Sequence, residues 1–324
     1  MKILIVTQVV DTEDPVLGFF VRWIEEFTKH VESIEVICLK EGKYLLPENV
    51  RVHSLGKEKG VSRVRYVFNF YKYIWHLRGD YDAVFVHMNP EYVVLGGLLW
   101  RLWGKRIALW YTHKNVDLKL RLAEKLVGVI FTASKESFRL KSSKVHVMGH
   151  GIDTDFFSPD PNTERGTAVL SAGRLSLTKR NDLIIRSAGH FPNELRIVGE
   201  GPEKHHLENL AEELSITSRV HFLGPKNQEG LRAEYRQAGI FIHASETGSL
   251  DKVVLEALAC GLPVVTTSAL EGLPVLRVAA TPEAIAETIL APHSINTESL
   301  VAYVRECHSL QRLVPAILSG MQGV

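Results

Sequence analysis

The stretch HASETGSLDKVVLEALACGLPVV, residues 243–265, decides the fold. An apolar run over 240–244 ends in a polar turn at 247–249, where Gly248 allows close backbone approach. A run of helical period follows at 250–259, and Gly261 and Pro263 stop it before a second apolar run at 263–266. Strand, turn, helix and strand in that order form one unit of a parallel sheet. Ser249 is expected to cap the helix, which then runs to about Cys260. Such a helix start offers N–H groups and the positive end of its dipole to an anion such as a diphosphate. Ser249, Lys252 and Glu256 share one face by helical spacing, so Glu256 stands about two turns behind that anion site. A carboxylate there can accept both hydroxyls of a ribose.

The same alternation fills the rest of the chain. In the second half apolar runs at 168–172, 195–198, 220–223 and 276–279 alternate with helical patterns at 182–190, 203–214, 231–238 and 282–290. In the first half the runs are 3–6, 34–39, 83–87, 107–111, 129–132 and 145–148, with helical patterns such as 19–30 and 119–127 between them. The polar, Pro- and Gly-punctuated segment FSPDPNTERG, 157–166, reads as a linker. The predicted architecture is therefore α/β, with two doubly wound Rossmann-like domains over 1–157 and 167–300, facing across a cleft. Ligands in such sheets bind at the carboxyl ends of the strands.

Two further elements carry chemistry. In SAGRLSLTK a strand ends at Gly173 and leaves Arg174 and Lys179 on the following loop. Two cations there suit a diphosphate, whose charge must be neutralised in binding and in departure; the alternative is a pair of solvated loop cations. In IVGEGP, 197–202, Gly199 and Gly201 make a tight strand-to-helix turn. The third glycine of a dinucleotide fingerprint and the Gly-Lys-Ser/Thr of a P-loop are both missing, so the turn is either a cleft wall or purely structural.

These segments together resemble the GT-B fold retaining glycosyltransferases of family 4, the glycosyl transferases group 1. The matching stretches are AGRLSLTK, IVGEGP, VHFLGP and ETGSLDKVVLEALACGLPVV, with VMGHGIDTDFF before the linker. In the first half the resemblance rests on the opening strand, Gly18, and Tyr111-Thr112-His113. It implies that Arg174 and Lys179 hold the donor diphosphate and that Glu256 binds the ribose. It further implies that Gly248, Ser249, Leu250 and Asp251 offer backbone groups to phosphate and sugar, with Gly201 beside them. His113 would lie beside the donor sugar and be needed for transfer, and Gly18 would lie in the loop under the diphosphate. A last helix at about 301–318 would pack back on the first domain. One departure stands out: the family places a first glutamate eight positions before the second, and here that position is Gly248. Glu246 and Asp251 are the nearest carboxylates to replace it. The stretch between Ala269 and Pro282 is also shorter than in the family.

Composition narrows the function classes. The chain has 324 residues, 45% hydrophobic and 23% charged, with a net charge of +1, which argues against coating a nucleic acid. Residues 1–160 hold 23 Lys and Arg against 19 Asp and Glu, and the remainder 15 against 18. That asymmetry leans the first half towards an anionic surface such as a membrane. Cys38, Cys260 and Cys307 show no pairing or metal spacing and suit a reducing cytoplasm. The opening MKILIVTQVV reads as a strand rather than a secretion signal. The apolar stretch at 92–110 is interrupted by Arg101, Lys105 and Arg106, too often for a membrane span. The expected location is cytoplasmic, with peripheral contact at the inner face of the membrane.

Asp153-Thr154-Asp155 spells the DxD string that holds a metal in a different glycosyltransferase fold, but its setting in a turn predicts structural capping. His146 and His150 lie in strand and turn rather than helix, and His205 and His206 diverge on a helix, so no metal is predicted. In 63–78 the residues Val64, Val67, Phe68, Tyr71, Ile74 and Trp75 make one apolar face, expected to pack on the first sheet. The alternative for that face is a membrane interface or a lipid-linked acceptor. The reading is a metal-independent, configuration-retaining transfer from a nucleoside-diphosphate sugar, UDP ahead of GDP, to a hydroxyl of a glycan, lipid or small molecule. The rivals are a non-catalytic nucleotide-sugar-binding subunit and a nucleotide-sugar epimerase of the same fold.

Overall fold

Ile3 to Val6 are fully buried, and alternate side chains serve opposite layers: Ile3 and Ile5 pack into one apolar cluster, Leu4 and Val6 into another. A strand covered on both faces reads as a continuous apolar run because its sheet is buried between helices. The structure, a computed structural model, describes every residue except Thr247, Ser249, Glu271, His293, Ser294 and Val324. The chain divides into two units, the first Met1–Gly151 with Leu310–Val324, the second Ile152–Ser309.

In the first unit the elements are β1 (Lys2–Val10), α1 (Phe19–Thr28), β2 (Ser33–Glu41), β3 (Val50–Ser54), α2 (Arg63–His76), β4 (Ala83–His87), α3 (Pro90–Leu102), β5 (Arg106–Trp110), α4 (Leu118–Leu126), β6 (Val129–Thr132) and β7 (Val145–Val147). All strands are parallel, in the order β3-β2-β1-β4-β5-β6-β7. The order reverses between β1 and β4, the switch point at which such sheets open to ligands. β3 was not anticipated: it is an edge strand, half-exposed, and its polar Arg51 and His53 hide the β pattern.

In α2 the buried residues are Phe70 and Ile74, so this is the face that packs on the sheet. Val64, Val67, Phe68, Tyr71 and Trp75 are exposed, which corrects the expected core face. Both stripes of the helix are apolar, and periodicity alone could not say which one turns inward.

The second unit holds β8 (Val169–Ala172), α5 (Asn181–Ala188), β9 (Leu195–Val198), α6 (Lys204–Glu213), β10 (Val220–Gly224), α7 (Gln228–Gln237), β11 (Ile240–His243), α8 (Lys252–Ala259), β12 (Val264–Thr266), β13 (Leu276–Arg277), α9 (Pro282–Leu290) and α10 (Thr297–His308). Its parallel sheet runs β10-β9-β8-β11-β12-β13, with the switch point between β8 and β11. The segment expected as a linker packs within this unit. Phe156 and Phe157 are buried in its core, and the Arg165 guanidinium donates to the carbonyls of Tyr235, Arg236, Ala238 and Cys260. Arg236 in turn donates to the Ser158 carbonyl at 2.8 Å.

The helix expected over 301–318 is two helices that meet at Ser309. α10 belongs to the second unit and packs on α8. The other, α11 (Leu310–Gln322), belongs to the first unit, where Leu313, Val314 and Ile317 join Phe20, Trp23 and Phe131 in the core. The Ile152 amide donates to the His308 carbonyl at 2.7 Å, so the outgoing and returning segments are held side by side.

Candidate functional site

The loops that leave β8 and β11 meet at the switch point of the second sheet. The Glu246 amide donates to the Thr178 carbonyl at 2.9 Å, joining the two loops through their backbones. Lys179 ends a single 3-10 turn, Leu177–Lys179, and its ammonium donates to Asp251 Oδ2 at 2.5 Å. The same oxygen meets His243 Nε2 at 2.8 Å. A carboxylate can only accept, so Nε2 carries a proton and donates it to Asp251. Nδ1 lies 3.1 Å from the Thr266 hydroxyl, which itself accepts from the Ser268 amide. The chain of donors and acceptors closes without an orphan.

Burial pushes the Asp251 carboxyl up, but the His243 hydrogen bond and the Lys179 charge overcome it and hold the group at about 2. The carboxylate is thus ionised throughout the neutral range and locks Lys179 in place. Arg174 is exposed and makes no hydrogen bond or ion pair among the described residues. Glu246 pairs with Arg180, which also holds Asp182 at 3.2 Å. Both Arg180 and Glu246 line a polar pocket of 400 Å³ with Arg186 and His206. Of the two substitutes for the missing carboxylate, Asp251 is therefore committed to Lys179, and Glu246 to Arg180.

α8 begins at Lys252, with Asp251 rather than Ser249 at its N-cap; Ser249, like Thr247, lies outside the described residues. Gly248 has φ of +60°, the left-handed conformation that favours glycine. Leu250 is half-buried against the core beside α8. Glu256 is 4% exposed and accepts a hydrogen bond from the Tyr235 hydroxyl at 3.2 Å. Burial raises its carboxyl and lowers the neighbouring Lys252 ammonium, each charge partly offsetting the cost of the other.

The IVGEGP glycines have a steric role. A Cβ on Gly199 would lie 1.9 Å from the Gly173 carbonyl oxygen, and one on Gly201 2.1 Å from that of Leu175. The backbones after β8 and β9 therefore touch, and this contact shapes the loop that carries Arg174. In the DxD string Asp153 Oδ1 accepts from the amides of Asp155 and Phe156, each at 3.2 Å, the expected turn cap. Among the described residues no three His, Cys, Asp or Glu side chains are grouped as metal ligands.

In the first unit Gly18 precedes α1, and a Cβ there would lie 2.6 Å from the Asp14 carbonyl oxygen. His113 is exposed on the loop after β5, its ring edge-to-face with Tyr111 at 5.7 Å. At the switch point of this sheet the Gln8 amide donates to Asn89 at 2.7 Å. Both residues line a 440 Å³ pocket walled by Leu39, Leu55, Phe70, Tyr92 and Leu95, with Lys57, Arg63 and Glu91 also lining it. Sequence reasoning missed this pocket, as it missed Arg180, His243 and Tyr235. Arg180, His243 and Tyr235 take their roles from partners that only the fold brings within reach.

The family described as glycosyl transferases group 1 matches residues 153–311. Over 148 residues the chain is 35% identical to D-inositol 3-phosphate glycosyltransferase of Mycobacterium sp. (strain KMS), covering 41% of this chain and 34% of that protein. The enzyme of the same name from Mycobacterium leprae (strain TN) is 32% identical over 172 residues, 48% of this chain and 39% of its own. The matched stretch thus spans little more than a third of these curated relatives. Among solved structures, Anabaena HepE in complex with UDP and glucose superposes with a TM-score of 0.76 at 16% identity, covering 100% of both chains. The lipopolysaccharide outer core galactosyltransferase WaaB gives 0.66 at 12% identity, covering 100% of this chain and 99% of its own. At such identities the likeness concerns the fold, which is GT-B. Residues 153–311, just under half of the chain, are thus similar to the glycosyl transferases group 1 family.

Proposed function

We propose that the protein transfers a sugar from a nucleoside-diphosphate sugar to an acceptor hydroxyl, with retention at the anomeric carbon and without a metal. The observation that carries this reading is the meeting of the Lys179 loop, the exposed Arg174 and the start of α8 at one switch point. Cations and helix N–H groups there can take up the charge that a departing diphosphate acquires as the bond from its oxygen to the sugar breaks. Backbone groups of Gly248 to Asp251 serve phosphate and sugar, and Glu256 takes the ribose hydroxyls; His113 and Gly18 are the first unit's own candidates for a part in the transfer. UDP is favoured as the nucleotide, a choice supported by the UDP complex of HepE. The acceptor is a glycan or lipid-linked molecule, and the 440 Å³ pocket of the first unit, apolar with polar strand ends, is its candidate site.

A second reading, a non-catalytic donor-binding subunit, draws on the Asp251–Lys179 pair, which neutralises one of the two diphosphate cations. Both readings require nucleotide binding, and calorimetric titration with UDP tests it. Lys179→Ala should weaken UDP about 10- to 100-fold, the worth of a charge-assisted hydrogen bond; unchanged affinity would overturn the diphosphate assignment. Release of UDP from a UDP-sugar in the presence of acceptor and EDTA then separates a metal-independent transferase from a binding subunit. Activity that EDTA abolishes and Mg²⁺ restores would refute the metal-free chemistry.

A further inference from the structure

The outer face of α2 is apolar surface. Val64, Phe68, Tyr71 and Trp75 recur at intervals of four, three and four residues and make one stripe, with Phe68 60% and Trp75 53% exposed. The stripe continues onto the end of α3. Trp75 and Trp103 meet edge to face at 5.7 Å, and Leu98 and Leu102 are exposed there, Leu102 at 80%. The Tyr71 hydroxyl donates to the Leu95 carbonyl at 3.0 Å and keeps the two helices side by side. Large apolar side chains contiguous over two helices mark an interaction surface, unlike the single exposed hydrophobes of an ordinary exterior.

The stretches of sequence that carry this face are rich in cations. Residues 63–79 contain Arg63, Arg65, Lys72 and Arg78 and no acid, and residues 92–116 contain Arg101, Lys105, Arg106 and Lys114 and no acid. Two of these cations are seated on the stripe itself, Arg65 over the Phe68 ring at 5.4 Å and Arg78 over the Trp75 ring at 5.0 Å. Aromatic rings flanked by guanidinium groups fit the boundary between lipid headgroups and acyl chains, where rings enter the apolar layer and cations meet phosphates. A second copy of the chain is a poorer partner, because a two-fold contact sets like charges against one another.

Resting on the assignment of the first unit to the acceptor, we infer that the outer face of α2 and the end of α3 seat the protein on an anionic bilayer. Arg63 and Val67 belong both to α2 and to the lining of the 440 Å³ pocket. An acceptor anchored in that bilayer therefore reaches the pocket along α2. Among the described residues no helix is long and apolar enough to cross a membrane, so the contact is peripheral.

Sedimentation of the full chain with vesicles tests this. Vesicles of equal phosphatidylglycerol and phosphatidylcholine should retain the wild type at least tenfold more strongly than pure phosphatidylcholine. The pair Phe68→Ser with Trp75→Ser, and separately Arg65→Glu with Lys72→Glu, should each lower retention about tenfold while UDP affinity stays unchanged. No retention, equal retention on both vesicle types, or variants that bind like the wild type would overturn the inference. So would a dimer in sedimentation velocity that the same substitutions dissolve, since a second copy would then cover the face. Loss of UDP binding with vesicle binding kept would instead overturn the donor-site reading and leave the bilayer contact standing.

Discussion

Replacing Asp251 by Asn removes one negative charge from between Lys179 and His243 with little change of shape. In the folded protein the carboxyl sits at about 2, against an ordinary value of 3.8. The gap of nearly two units corresponds to about 2 kcal/mol of stability, at 1.36 kcal/mol per unit. Because the folded-state value is depressed, the unfolded chain binds the proton more readily between these limits. The contribution is complete above about pH 5, falls to roughly half near pH 3, and disappears as pH drops through 2. The Asn variant should therefore be less stable than the wild type by about 2 kcal/mol at pH 7 and by about half of that at pH 3. Urea unfolding at both pH values, read by amide hydrogen exchange over Ile152–Ser309, measures it. Tryptophan fluorescence supplies an internal control, because Trp23, Trp75, Trp100, Trp103 and Trp110 all lie in the first unit. A stability difference that is the same at pH 7 and pH 3, or absent at pH 7, would refute the ionic lock. The same substitution removes a charge that repels diphosphate, so UDP should bind the variant several-fold more tightly if Lys179 keeps its place.

Other positions give independent tests. Gly199→Ala forces a Cβ against the Gly173 carbonyl at a φ of +138°, and should cost about 2 kcal/mol or more and weaken UDP binding, measured by thermal melting and calorimetry. Arg165→Ala strips hydrogen bonds from four carbonyls and should destabilise the second unit by about 3 kcal/mol in urea unfolding; a loss below about 0.5 kcal/mol would mean that the 157–166 segment is a free linker after all. If Glu256 reads the ribose, the wild type should prefer UDP to its 2′-deoxy analogue and Glu256→Gln should lose most of that preference in parallel titrations. Tyr235→Phe removes only the donor to Glu256 and should lower stability by about 1 kcal/mol.

Much of the architecture is legible along the chain because both sheets are buried on two faces. Their strands are short, apolar and separated by helices, so Ile3–Val6 and Ile240–Phe241 announce themselves. Edge strand β3 escapes because a half-exposed strand needs no apolar run. The helix over 301–318 misled because its apolar period continues across Ser309 while the chain passes from one unit to the other. The inward face of α2 misled for a related reason: two apolar stripes lie on one helix, and only the neighbouring sheet selects Phe70 and Ile74.

At the proposed donor site the division is sharper. Lys179, Gly248 and Glu256 are visible as motif positions because turn, cap and helical spacing are local properties of residues near one another in the chain. The partners of those residues are not. Lys179 meets Asp251 across 72 positions, and Tyr235 donates to Glu256 from a different helix. His243 and Asp251 are close in sequence, but only the turn between β11 and α8 brings ring and carboxylate to 2.8 Å. Local spacing thus marks the proposed anion site within the opening stretch 243–265. Folding decided how its charges are spent, because the energy of a buried ion depends on its neighbours in space.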